Sequence, residues 1–132
     1  MVKRFGFGKT EKLKSRKKID ELFAKGRNFT ISPIRVSYQC TRGSGEAILQ
    51  AGVSVSKKHF KKAVDRNRIK RLLREAYRLQ KTEMKEIIRQ KELQCFVFFI
   101  YVDKTIGSFN DIKEAMNKCL LRLQKSANEN HS

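Results

Sequence analysis

Histidine and acidic residues are scarce in this sequence, and no chemistry-bearing cluster stands out. Of its 132 residues, only 13 are Asp or Glu, and the two histidines are His59 and His131. A protein nuclease normally requires clustered carboxylates that bind metal ions, or a histidine with a general acid. Asp65 and Glu75 instead stand among arginines, where structural ion pairs are expected. There is also no P-loop, Gly-rich dinucleotide turn or Ser-His-Asp arrangement. The sequence therefore predicts no catalytic residue and no metal site in the protein.

Long apolar runs are missing as well. No run approaches the roughly 20 residues of a membrane-spanning helix, and the N-terminus lacks the apolar region of a secretory signal. Three cysteines, Cys40, Cys95 and Cys119, stand in apolar stretches without metal-type spacing. They are expected to be small buried thiols in a reducing cytoplasm. The sequence thus predicts a cytoplasmic protein without a membrane partner.

Basic residues dominate the charged residues of the sequence. Lys and Arg number 31, the formal net charge is +18 and the pI is about 10.2. Such an excess points to a polyanionic partner, and the length predicts one domain. The charge is densest from Ser54 to Arg78, which holds ten basic and two acidic residues. Because the acids are too few to pair the bases, nucleic-acid binding is favoured over a merely solvated helix face.

From about Lys62 this stretch has helical spacing. One side of the helical wheel carries Ile69, Leu72, Leu73 and Ala76, which suit a core. The opposite side carries Asn67, Lys70, Arg71, Arg74 and Arg78. Arginine dominates there, and its planar fork suits bidentate phosphate contacts. Arg66 and Arg68 lie nearer the flanks of the wheel, so one of them is an alternative candidate for bracing the helix onto the sheet.

Three segments carry a resemblance to a known family. They are RNRIKRLLRE at Arg66–Glu75, VSVSKK at Val53–Lys58 and LKSRKKIDELFAKGRNF at Leu13–Phe29. Together they resemble the bacterial ribonuclease P protein component, and the likeness runs from about Leu13 to Lys125. The resemblance implies a subunit of the ribonucleoprotein that removes the 5′ leader from precursor tRNA. It also implies that the catalytic RNA subunit performs the hydrolysis and binds most of the Mg²⁺, with no obligate protein partner.

The same resemblance implies two sets of binding residues. The residues expected to bind the RNA subunit are Lys57, Arg66, Asn67, Arg68, Lys70, Arg71, Arg74 and Arg78. Those expected to line a cleft for the single-stranded leader are Phe23, Tyr38, Ser54 and Lys58. Phe23 could equally belong to the core. Two positions depart from the family pattern. Ile19 stands where many family members carry Phe. The loop His59–Lys62 is longer than in most members and contains Phe60, whereas the loop of other members commonly contains a Gly.

The pattern of elements predicts an α+β fold in the order α-β-β-β-α-β-α, a single-domain sandwich with a four-stranded sheet. The predicted strands are Asn28–Ser32, Arg35–Thr41, Ala47–Val55 and Cys95–Val102, and the predicted helices begin after Ser15, Lys62 and Ser108. Thr82–Gln94 either prolongs the basic helix or forms a loop. The resemblance implies that the basic helix makes a left-handed β-α-β crossover. Residues 1–14 are expected to be a flexible basic arm, residues 15–125 the RNA-binding domain and residues 126–132 a disordered tail.

Two other functions remain open at this level. A basic ribosomal or RNA-assembly protein with no enzymatic role would share the charge and the fold class. A DNA-binding protein could insert the basic helix into a major groove. The sequence lacks a helix-turn-helix and a heptad dimerisation segment, which weighs against the DNA-binding function.

Overall fold

The computed structural model describes residues 12–42 and 47–129. Three segments lie outside the described part of the chain: residues 1–11, which make up most of the predicted arm, residues 43–46 and residues 130–132. The elements, in chain order, are α1 (Arg16–Lys25), β1 (Arg27–Ile31), β2 (Ile34–Arg42), β3 (Ile48–Val55), α2 (Ala63–Gln80), α3 (Thr82–Lys91), β4 (Leu93–Tyr101) and α4 (Phe109–Glu129). The predicted α+β class is confirmed, with α3 as an additional short helix.

The sheet has the strand order β1-β2-β4-β3. β2 is antiparallel to both β1 and β4, whereas β3 runs parallel to β4. β4 lies in the interior of the sheet because its sequence, LQCFVFFIY, is apolar on both faces. α2 and α3 connect the parallel pair β3 and β4, as the predicted β-α-β unit requires. The handedness of this crossover stays a prediction.

The main core occupies one face of the sheet. α2 contributes Ile69 and Leu73, α4 contributes Met116 and Leu120, and Phe99 of β4 lies between the helices and the sheet. These side chains are almost completely buried. The apolar side predicted for α2 therefore faces the sheet, as does the buried side of α4, which leaves the opposite side of α2 to solvent.

A smaller core lies on the other face of the sheet. Leu22 of α1, Leu13 and Phe98 of β4 are buried there, and Ile19 packs against them. Ser15 is the N-cap of α1, and its hydroxyl accepts a hydrogen bond of 3.3 Å from the Lys18 N–H, so the helix begins after Ser15 as the sequence predicts. One short helix covers only part of the sheet face, and the uncovered part becomes the floor of a groove.

Two predicted boundaries are wrong. The Leu13 N–H donates a 2.9 Å hydrogen bond to the Ala51 carbonyl, and Leu13 is buried, so residues 12–14 belong to the domain and not to the arm. At the other end, α4 continues through Ser126 and Ala127 to Glu129, and Ala127 is only 1% exposed. Burial of this alanine against the main core extends the helix past the predicted end of the domain at residue 125.

The cysteines also depart in part from the sequence-based expectation. Cys40 and Cys95 form a disulfide, so the prediction of free thiols is wrong for this pair. They stand directly opposite one another on β2 and β4, with their Cα atoms 4.1 Å apart. Cys119 is a buried free thiol, as expected, and burial raises its pKa to about 12.

None of the described helices is long and apolar enough to cross a membrane.

Candidate nucleic-acid interface

A groove of about 780 Å³ lies between α1, the segment that precedes it and the uncovered part of the sheet. Its floor is made by β3 and β4, its wall by α1, and cations surround its mouth. The lining residues that carry the argument are Arg16, Phe23, Gly52, Ser54, Arg74 and Phe98. An apolar floor with a cationic rim suits a chain that has flat apolar bases and a phosphate backbone.

Phe23 belongs to the groove and not to the core. Its side chain is 47% exposed, whereas its neighbour Leu22 is completely buried and anchors α1 to the sheet. The Phe23 ring meets the Phe98 ring edge to face, with centroids 5.4 Å apart and planes at 84°. Arg16, Ile19 and Phe23 follow one another at helical spacing along the wall. The wall thus presents one aromatic face beside one guanidinium.

The floor depends on a glycine. Gly52 of β3 stands opposite Phe98 of β4, and a Cβ added to Gly52 would lie 2.5 Å from the Phe98 ring. Only glycine lets the Phe98 ring lie across β3 at this point, which keeps the floor flat. Sequence analysis missed Phe98, because CFVFFIYV indicates a strand buried on both faces. The alternation of the strand separates Phe96, Phe98 and Ile100 from the main core and could have indicated this second surface.

The predicted cleft residues Ser54 and Tyr38 lie on different faces of the sheet. Ser54 lines the groove. Tyr38 does not line this groove, and its contact with the leader stays a prediction. Its hydroxyl lies 3.0 Å from the Ser126 hydroxyl of α4, and its ring packs edge to face on Phe29, on the main-core side of the sheet. Ser37, one residue earlier, points to the opposite face, where it is buried and donates a hydrogen bond to Asn28.

The loop lysines lie outside the groove. Lys57 and Lys58 are exposed in the segment that follows β3, and the Lys58 N–H donates to the Ser56 hydroxyl at 3.2 Å. Neither residue lines the groove. Leader binding by Lys58 and binding of the RNA subunit by Lys57 therefore stay predictions, for a surface outside the groove.

The solvent-facing side of α2 is strongly cationic. Asn67, Arg68, Arg71 and Arg74 are exposed, and Lys70 is half-buried. Within residues 12–42 and 47–129, Arg68 and Arg71 form no ion pair. Arg74 also lines the groove, so the cationic face of α2 and the groove meet at this residue. The two predicted surfaces are thus continuous.

Two of the predicted RNA-binding arginines have contacts within the protein. Arg66 donates from Nη1 to the Phe60 and Lys61 carbonyls at 2.8 and 2.7 Å. Arg78 forms an ion pair with Glu75, and this hydrogen bond lowers the pKa of the Glu75 carboxyl. The eight residues predicted as one RNA-binding set therefore do not have equal freedom to contact a ligand.

In the part of the chain that the structure describes, no group of three or more metal-ligating side chains occurs. The chemistry that the site offers is binding: arginine and lysine for phosphates, Phe23 for a base, and Asn67 for a directional hydrogen bond. A cationic helix face joined to an aromatic groove in a small α+β domain defines a class of nucleic-acid-binding protein.

Comparisons with known proteins identify the family within this class. A family model described as Ribonuclease P matches residues 7–124. The ribonuclease P protein component of Porphyromonas gingivalis is 37% identical over 119 residues, which cover 90% of this chain and 87% of the relative. That of Dictyoglomus thermophilum is 39% identical over 84 residues, which cover 64% of this chain and 67% of the relative.

Solved structures share the fold. The Staphylococcus aureus RNase P protein superposes with a TM-score of 0.65 at 22% identity, over 89% of this chain and 97% of that one. The protein from Thermotoga maritima gives 0.63 at 23% identity, over 85% and 96%. The chain belongs to the ribonuclease P protein family, whose members are protein components of a tRNA-processing endoribonuclease. The family indicated by the sequence motifs is confirmed.

Proposed function

We propose that this chain is the protein subunit of a cytoplasmic ribonuclease P ribonucleoprotein, in which the groove binds the 5′ leader of precursor tRNA and α2 binds the RNA subunit. The observation that carries the proposal is the meeting of the two surfaces at Arg74. A leader strand that leaves the groove at this point would arrive beside the RNA held by α2.

The groove suits a single strand better than a duplex. A duplex hides the faces of its bases, whereas a single strand can place a base against the exposed face of Phe23. Arg16 belongs to α1 and Arg74 to α2, which pack on opposite faces of the sheet, and both side chains line the groove. They can therefore neutralise phosphates on both sides of a stacked base.

The outer face of α2 suits a folded RNA in which phosphates crowd together. Arg68 and Arg71 bring uncompensated charge, and Asn67 adds a donor and an acceptor. Neutralising phosphates releases counterions and supplies most of the affinity. Such donors attract anions and not cations, so the Mg²⁺ that the catalytic RNA requires would be held mainly by the RNA itself.

The test is reconstitution of the purified chain with its cognate ribonuclease P RNA. We expect the mixture to remove the leader from precursor tRNA at a Mg²⁺ concentration at which the RNA alone is slow, and we expect the protein alone to cleave nothing. Arg71→Ala should raise the Mg²⁺ concentration needed for activity, with either a short or a long leader. Lys113→Ala, which removes an exposed cation from α4, is the control and should leave activity unchanged.

A different result would favour the alternative function. RNA that co-purifies with the tagged chain from cells can be sequenced. One large structured non-coding RNA is expected, whereas ribosomal RNA together with no stimulation of leader removal would contradict the proposal and indicate a ribosomal or assembly protein.

A further inference from the structure

The beginning of α2 has no side-chain cap. Lys62 occupies the N-cap position and makes no capping hydrogen bond. The first N–H groups of a helix have no partner within the helix, so a side-chain cap normally stabilises this end. Another feature must therefore set the position at which α2 leaves the preceding loop.

Arg66, the fourth residue of α2, supplies that feature. Its side chain runs back towards the loop and donates from Nη1 to two successive backbone carbonyls, Phe60 at 2.8 Å and Lys61 at 2.7 Å. A charged donor makes hydrogen bonds that are stronger than neutral ones. The two carbonyls are thereby held to the first turn of the helix, and Arg66 as a whole is half-buried.

The loop is in turn fixed to the sheet. The Phe60 ring is buried, and its centroid lies 6.1 Å from that of Tyr101 at the end of β4. The Tyr101 hydroxyl donates to the Thr105 carbonyl at 2.6 Å and accepts from the Gly107 N–H at 2.9 Å. Arg66 therefore connects the first turn of α2, through the Phe60 loop, to the buried Tyr101 at the end of β4.

We infer that Arg66 is a positioning residue that orients α2 through the Phe60 loop, and that it makes no direct phosphate contact. Asn67, Arg68 and Arg71 follow within the next turn and a half of the same helix, so a change in the angle at which α2 begins would displace all three. This inference rests on the proposed function only in taking the outer face of α2 as the RNA interface.

Salt dependence separates positioning from contact. Each phosphate that a protein cation neutralises contributes about 0.7–0.9 to the slope of log affinity against log salt concentration. A residue that only orients the helix neutralises no phosphate itself, so its loss weakens the contacts of Arg68 and Arg71 without removing them and leaves the slope unchanged. Arg66→Ala should therefore weaken RNA binding about tenfold, or about 1.4 kcal/mol, and leave the slope unchanged. Arg71→Ala, the matched control, should lower the slope by about one.

Binding is measured with the cognate ribonuclease P RNA and with bulk tRNA, at a temperature at which circular dichroism shows each variant to be folded. Arg66→Gln, which keeps amide donors without the charge, should recover part of the affinity. Phe60→Ala and Arg66→Ala act through one loop, so the double variant should lose less affinity than the sum of the two single losses.

A lower slope for Arg66→Ala or Arg66→Gln, or an unchanged affinity of the folded Arg66→Ala variant, would overturn the inference. The proposed function fails separately, if the unmodified protein binds the cognate RNA no more tightly than bulk tRNA. In that case the slopes with bulk tRNA still decide the role of Arg66.

Discussion

Truncation of Phe23 tests the groove most directly. In the folded protein the ring is about half exposed, and among the described residues its aromatic neighbour is Phe98, at 5.4 Å. Loss of an edge-to-face pair costs about 0.5–1.5 kcal/mol. A completely buried Phe would cost about 3–5 kcal/mol on truncation to Ala. Phe23→Ala should therefore remain folded, with a loss of unfolding free energy close to the smaller figure.

The effect on binding should be larger and specific to the leader. Loss of one base-aromatic stack costs about 1–3 kcal/mol, which corresponds to a roughly five- to hundredfold loss of affinity. Only precursor tRNA has a leader, so its dissociation constant from the reconstituted holoenzyme should rise by this factor while that of mature tRNA stays constant. Equilibrium binding at low temperature and urea unfolding of the same preparations supply the two measurements.

Two control variants complete the test. Phe23→Leu keeps the apolar bulk without an aromatic face and should lose most of the stacking energy at little cost in stability. Leu121→Ala removes a side chain of α4 that is 51% exposed and does not line the groove, so it should change neither tRNA affinity. Equal losses for precursor and mature tRNA, or global unfolding of Phe23→Ala, would refute the assignment of Phe23 to a leader groove.

Three further predictions concern the remainder of the structure. Gly52→Ala should lower the free energy of unfolding, measured in urea, by about 1–3 kcal/mol, because the added methyl group overpacks against Phe98. The control is Gly107→Ala, whose added Cβ meets nothing closer than 3.4 Å and which should be nearly neutral. Equal effects of the two substitutions would contradict this account of the groove floor. Cys119, whose pKa burial raises to about 12, should resist iodoacetamide at pH 8 until the protein unfolds, and rapid alkylation of the folded chain would count against its burial. The hydrogen bond from Arg78 lowers the pKa of the Glu75 carboxyl from its ordinary value of 4.5. The Glu75–Arg78 ion pair therefore stabilises the folded state fully at pH values above 4.5. Glu75→Gln should therefore cost less than about 1 kcal/mol near pH 7, and the difference should vanish as the pH falls through the lowered pKa; a difference that persists in acid would exclude the ion pair as its cause.

Local signals in the sequence were sufficient for the beginnings of α1 and α4, for the inner face of α2 and for the family. Ser15 predicted the beginning of α1 and Ser108 that of α4, where the Ser108 hydroxyl accepts a hydrogen bond from the Asp111 N–H. The spacing of Ile69, Leu72, Leu73 and Ala76 predicted which side of α2 faces the core. These features depend on residues within one or two turns of each other, so the sequence by itself contains them.

Only the tertiary structure decided which residues share a surface. Tyr38 and Ser37 differ by one position along β2, and the pairing of β2 with its neighbours determines which of them faces the main core. The same pairing brings Cys40 and Cys95 together across 55 residues of sequence. Phe98 forms part of the groove floor because α1 covers only a portion of the sheet face on which Phe98 lies. Arg66 and Arg74 carry the same charge on the same helix, yet one holds a loop and the other borders the groove. Local periodicity cannot distinguish such cases, because each depends on contacts between segments that are distant in the chain.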